Sequence, residues 1–256
     1  MTDVTIQLGY GHQTLSVRIP SENLGEVISP QTVETIADPS SAIQKALSQP
    51  IGTSPLSDLV SPDQTVAIIV DDLTRSTPVT LILPLVLAQL QTTGVQRESI
   101  RIVLALGTHR AMTESEIVAK LGTQIATEYE IVNVPGSAEE AMIFMGTSSN
   151  GIPAWVNKAV AEANIKIGIG QITPHMDAGF SGGAKIILPG VCSTRTVEAF
   201  HGKEIELNTN LLGRLDSPIR QDLEQFVGDC VGLDFIVNVI MKPDHQFYRC
   251  VAGHFI

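Results

Sequence analysis

Three short apolar runs in this chain each break off into polar residues, and that pattern narrows the choice of fold more than any other feature. TVAIIV (residues 65–70) runs into Asp71-Asp72. IRIVLAL (100–106) runs into Gly107-Thr108-His109-Arg110, and IKIGIG (165–170) into Gln171 and then Pro174-His175. A strand that is apolar at consecutive positions has to be covered on both faces. Helix-compatible stretches lie between the runs. One extends from Val79 to about Gln91; another ends at Leu121 and opens on Thr113 and Glu116, which have capping-box spacing. Such strands alternating with helices predict an α/β fold with an open, mainly parallel sheet and helices on both faces. Residues 233–241 and 247–251 add two more strands. Near the N-terminus, residues 4–8 and 14–19 alternate around Gly9-Tyr10-Gly11-His12 and read as a β-hairpin. Asp38-Pro39 opens a helix to about Leu47. Residues 193–200 read as a helix that His201 and Gly202 terminate. There is no repeat, low-complexity tract or linker, so residues 1–256 read as one domain.

Composition removes several functions. At 256 residues the chain can bury a large core, and 43% hydrophobic with 17% charged residues is the balance of a globular protein, not a disordered one. A net charge of −11 without a basic run makes nucleic acid a poor partner. Cys192, Cys230 and Cys250 have no metal or redox spacing and read as reduced thiols. The first residues lack the basic-then-apolar order of a signal peptide. The most apolar run, 79–90, is interrupted by Pro84 and falls short of the roughly 20 residues of a membrane span. The expectation is a soluble, cytoplasmic protein with no membrane contact.

Each polar motif follows the C-terminal end of an expected buried strand, which is the sheet edge where open α/β proteins bind ligands. Arg75, between Asp72-Leu73-Thr74 and Ser76-Thr77-Pro78, could clamp a carboxylate or phosphate; the simpler reading is an Asp–Arg pair with a Ser/Thr cap. Asp71 reads as structural or as a support behind the site. His109 and His175 titrate near neutrality, and two imidazoles at one edge suit proton transfer on two faces of a substrate. Lys185 follows Ser181-Gly182-Gly183-Ala184, whose glycines leave room for a ligand. A desolvated lysine there could act as a nucleophile; a solvated lysine or a phosphate contact is the alternative. His201 has a sufficient explanation as an imidazole at a helix C-terminus. His12, His245 and His254 lack comparable contexts.

DDLTRSTP (71–78), GTHR (107–110), PHMDAGFSGGAKIILPG (174–190) and His201, taken in order and spacing, resemble the nickel-dependent lactate racemase family over nearly the whole chain. The resemblance implies a nickel pincer nucleotide, a pyridinium-3,5-bisthiocarboxylic acid mononucleotide nickel adduct, attached at Lys185. It makes His201 the metal ligand, His109 and His175 the acid/base pair, and Arg75 the partner of the substrate carboxylate. Asp72, Thr74, Ser76, Gly182 and Gly183 would lie around the cofactor. The implied activity is racemisation or epimerisation of a small 2-hydroxy acid. One histidine takes the hydroxyl proton while the α-hydrogen leaves as hydride, which avoids a carbanion beside a carboxylate. Return of the hydride to the other face of the 2-keto acid inverts the centre. Proteins that build the cofactor would be partners. Family members are longer, with a smaller C-terminal domain that this chain does not include, so residues 1–256 would be the cofactor-binding N-terminal domain. Met176-Asp177 stand where lactate-specific members tend to carry aromatic residues, which leaves other hydroxy acids or a polyol open. Two other classes fit the same residues: a metal-independent Schiff-base lyase using Lys185, and a non-catalytic domain binding anionic metabolites.

Overall fold

The computed structural model describes residues 3–11, 13–28, 31, 33–207 and 211–256; His12, at the end of the expected hairpin turn, lies outside them. The chain divides into two compact units, Met1–Glu34 and Thr35–Ile256. In the first, β1 (Asp3–Tyr10) and β2 (Gln13–Pro20) pair antiparallel with Ile6 opposite Val17 and Leu8 opposite Leu15. That is the hairpin expected from the alternation, with each strand a little longer.

The second unit opens with α1 (Pro39–Ser48) and the short α2 (Leu56–Leu59). Asp38 caps α1, accepting the Ser41 amide at 3.1 Å and the Ser41 hydroxyl at 2.6 Å. Then come β3 (Val66–Asp71), α3 (Val79–Thr92), β4 (Ile100–Ala105), α4 (Glu114–Leu121), α5 (Thr123–Glu128) and the short β5 (Glu130–Val132). The capping box is present: Thr113 Oγ1 accepts the Glu116 amide at 3.3 Å, and the Glu116 carboxylate accepts the Thr113 amide at 2.7 Å. A two-stranded excursion, β6 (Met142–Thr147) and β7 (Pro153–Asn157), leads through α6 (Lys158–Ala161) into β8 (Ile165–Gln171). The remainder comprises the two-residue strands β9 (Pro174–His175) and β10 (Gly179–Phe180), α7 (Thr194–Leu207), α8 (Pro218–Phe226), β11 (Phe235–Met241) and β12 (Phe247–Gly253).

The main sheet has the order β12-β11-β8-β3-β4-β5, parallel throughout except for the antiparallel edge strand β12. Its central strand, β3, is buried at every position. Alternation along β3 feeds two cores. Val66, Ile68 and Val70 join Ile82, Leu83, Val86 and Leu90 of α3. Ala67 and Ile69 join Phe200 of α7 and Leu223 and Phe226 of α8. Two buried layers on one sheet are what the continuous apolar runs require. The fold class read from the sequence is the one found.

One helix boundary differs. α7 does not stop at His201 but continues to Leu207, so His201 lies inside the helix and its explanation as a C-terminal imidazole falls away. Gly202 passes within the helix because it is exposed and a side chain there would meet nothing within 4 Å. Its cost relative to alanine is only about 1 kcal/mol. The first turn of α7 is pinned to β7. The Trp155 amide donates to Thr196 Oγ1 at 3.0 Å, and the Arg195 guanidinium lies 3.6 Å over the Trp155 ring, whose centroid is 5.1 Å from that of Phe144. Among the described residues no helix is long and apolar enough to cross a membrane, and all three cysteines are free.

Candidate active site

From β3 the chain builds the sheet outward through β4 to β5, then returns to the other side of β3 with β8 and β11. The reversal between β3 and β8 opens a crevice at their C-terminal ends, where doubly wound proteins bind ligands. A cleft of about 740 Å³, including its open mouth, occupies that place. Its lining includes Asp72, Thr74, Arg75, His109, Gly182 and Lys185.

The loop after β3 is held from three sides. Asp72 closes an Asx-turn, its Oδ1 accepting the Thr74 amide at 3.1 Å and the Thr74 hydroxyl at 2.6 Å. The Arg75 amide donates to the Asp72 carbonyl at 3.2 Å. Ser76 Oγ donates to Gln171 Oε1 at 3.0 Å, tying the loop to the end of β8 across the crevice. Beneath it, Lys120 of α4 puts its ammonium 2.8 Å from Asp71 Oδ1 and donates to the Arg75 carbonyl at 3.0 Å. Asp71 also accepts the Thr77 hydroxyl. Burial pushes the Asp71 carboxyl above its ordinary pKa, and Lys120 opposes that rise. Asp71 thus holds the loop from below while also lining the cleft. Arg75 makes no ion pair with Asp72; the carboxylate is taken by Thr74 and by a histidine.

That histidine is His109. Gly107, at φ +56°, turns the chain after β4 in the left-handed region that suits glycine, and its amide donates to the Gly190 carbonyl at 2.9 Å. The His109 amide closes the turn onto the Leu106 carbonyl at 2.9 Å. His109 Nδ1 then lies 2.6 Å from Asp72 Oδ2. Asp72 is 4% exposed and an ionised carboxylate only accepts, so Nδ1 carries a proton, and in the neutral ring the lone pair is then at Nε2. The pairing makes Asp72 a positioning residue for His109, a role that its place in the sequence did not disclose.

The second histidine sits on a tight hairpin of β9 and β10 in which His175 pairs with Gly179. The amides of Asp177 and Ala178 donate to His175 Nδ1 at 3.2 and 3.3 Å, orienting the ring so that Nε2 is 3.3 Å from Lys185 Nζ. Lys185 lies on a short 3-10 turn, Gly183–Ile186. His201 reaches the same region from α7. Both imidazoles are held below the ordinary histidine pKa, first by partial burial and then by the charge of Lys185, with Asp177 pulling the other way. Depressed values keep both rings neutral near pH 7, the state in which an imidazole binds a metal or accepts a proton.

The residues singled out in the sequence therefore do not all share one wall. Asp72, Thr74, Arg75, His109, Gly182 and Lys185 line the cleft, while Ser76 is linked to it through Gln171. His175 and His201 approach from the Lys185 side. Gly183 faces away: a side chain there would come within 2.8 Å of Arg220 Nη2 and 2.9 Å of the Phe255 carbonyl. Sequence reasoning passed over Lys120, Gln171 and Asn238. The last two line the cleft, and each is a polar residue within or ending a buried strand, which is the signal that could have found them.

Residues 10–211 match the family model of the lactate racemase N-terminal domain. The chain belongs to that family. It is 31% identical over 255 residues to the lactate racemase of Thermoanaerobacterium thermosaccharolyticum, covering 97% of this chain and 59% of that protein. To the lactate racemase of Lactiplantibacillus plantarum it is 33% identical over 254 residues, covering 98% and 59%. The structure of the T. thermosaccharolyticum lactate racemase apoprotein matches it with a TM-score of 0.84 at 30% identity, over 98% of this chain and 59% of that one. A crystal structure of a Thermotoga maritima protein, at 24% identity, shares the fold with a TM-score of 0.68 over 83% of this chain and 54% of that one. The chain thus spans 59% of the length of the lactate racemases that it matches.

Proposed function

We propose that this chain is the cofactor-binding part of a racemase or epimerase of small 2-hydroxy acids that uses a nickel pincer nucleotide anchored at Lys185. The observation that carries the reading is the convergence of Arg75, the Asp72-held His109, Lys185 and the His175 beside it on one sheet edge in a lactate racemase N-terminal domain.

The residues fit that cofactor by the chemistry of their donors. Among the described residues no three His, Cys, Asp or Glu side chains are grouped to hold a metal. A nickel ion here would need most of its ligands from a bound group, with His201 adding one neutral imidazole and Lys185 one amine for attachment. When bound, the nickel pincer nucleotide supplies a hydride acceptor. Arg75, at the cleft mouth and free of any ion pair among the described residues, holds the substrate carboxylate. His109 takes the hydroxyl proton at Nε2, and Asp72 stabilises the imidazolium so formed. His175 is the proton-transfer group for the opposite enantiomer, whose hydroxyl lies on the other side. Gly182 lines the same cleft beside Lys185, and Thr74 and Ser76 shape the loop beneath it. The proteins that assemble the cofactor are the expected partners.

The test is peptide mass spectrometry and nickel analysis of full-length protein from a host that makes the cofactor. The Lys185 peptide is expected to carry added mass, with nickel in proportion. Protein supplied with mature cofactor that acquires neither would overturn the cofactor assignment.

A further inference from the structure

Asn238 lies in the middle of β11, is 3% exposed, and makes no side-chain hydrogen bond among the described residues. Buried amides are almost always paired, so an open one marks a place kept for a ligand or water. Neither of its amide atoms is sealed off; the carboxamide faces the cleft that holds Arg75, His109 and Lys185. Two glycines pack close against it, where a larger residue would press on the amide. A side chain at Gly182, where φ is +78°, would bring its Cβ to 2.9 Å from Asn238 Nδ2, and one at Gly170 would come to 3.5 Å from Oδ1. Gln171, at 9% exposure, stands beside it. Its Oε1 accepts from Ser76, which leaves its amide N–H groups for something else.

The chemistry of this floor differs from that of the cleft mouth. Arg75 and Lys185 are the cations, suited to carboxylate or phosphate. A carboxamide instead offers a donor and an acceptor side by side, and a hydroxyl can use both. A phosphate only accepts, and would meet Asn238 Oδ1 with like partial charge. Resting on the mononucleotide cofactor proposed above, we propose that Asn238, assisted by Gln171, is a ligand-binding residue that hydrogen-bonds the ribose hydroxyls of that mononucleotide.

The experiment is calorimetric titration of the cofactor-free full-length protein with nicotinate mononucleotide and with its 2′,3′-dideoxy analogue, for wild type, N238L and N238A. Wild type is expected to bind the hydroxylated nucleotide about tenfold more tightly, the scale of one or two net hydrogen bonds. Both variants should bind the two probes alike, at the level of the dideoxy compound. N238A only removes atoms, and its circular dichroism compared with wild type shows that the fold persists. A wild type that does not distinguish the probes, or binds neither, overturns the proposal. Variants that keep the tenfold preference, or lose affinity equally for both probes, overturn it too. The titration needs no nickel, so a protein that prefers the ribose hydroxyls yet never acquires nickel or a Lys185 adduct would sink the cofactor reading and leave Asn238 as a contact for the ribose of a mononucleotide.

Discussion

Replacing His109 with Gln is expected to slow racemisation of 2-hydroxy acids by roughly 10²–10⁴-fold, the usual contribution of a positioned general base. The Lys185 peptide should keep its added mass. The side chain is half exposed at the cleft, and Nδ1 is committed to Asp72, so Nε2 is the only basic atom that the ring offers. Glutamine keeps polarity and approximate reach but cannot take up a proton. No packing defect is expected, since His109 contributes nothing to either buried core. Racemisation rates from both enantiomers, with cofactor loading measured on the same preparations, separate loss of the base from loss of the cofactor. Turnover within a few-fold of wild type in fully loaded protein would refute the role.

Asp72→Asn is expected to be nearly as severe, for a reason that is visible in the division of labour between its two oxygens. Oδ1 accepts both the amide and the hydroxyl of Thr74, while Oδ2 accepts from His109. Asparagine has one acceptor oxygen. If that oxygen stays with Thr74, an NH₂ group faces His109 Nδ1 and drives the proton to Nε2, removing the lone pair that the reaction needs. The comparable change in a Ser-His-Asp triad costs roughly 10⁴-fold. Rates should fall by about 10²–10⁴-fold with KM changed much less, because Arg75, the proposed partner of the carboxylate, is held separately through Ser76, Gln171 and Lys120. A large rise in KM with unchanged kcat would assign Asp72 to ligand binding instead.

The sheet was readable because β3, β4 and β8 carry apolar residues at consecutive positions, and the sites of His109 and Asp72 were readable as strand ends. Their pairing was not. The two lie 37 residues apart in sequence, and only the in-register parallel pairing of β3 with β4, Asp71 beside Ala105, sets the two loops side by side. Lys120 carries no mark in the sequence either: on an amphipathic helix a lysine ordinarily faces water, and its burial against Asp71 follows from how α4 lies under the loop after β3. The excursion of β6 and β7 is less legible because its strands are short, apolar without alternation and only partly buried, with packing supplied by contacts such as Arg195 over Trp155. The sequence predicts a helix end at His201 because glycine so often stops a helix, and an exposed glycine in mid-helix costs too little to do so here. The family likeness located the residues; the geometry added which of them touch.

The measurement that bears most directly on the central claim is the optical purity of single-enantiomer 2-hydroxy acids, lactate included, incubated with full-length protein whose Lys185 peptide carries the adduct. Chiral chromatography should show at least one of them drifting to an equal mixture from either starting enantiomer, with the drift lost in His109→Gln. Every acid remaining optically pure in the presence of fully loaded protein would contradict the account.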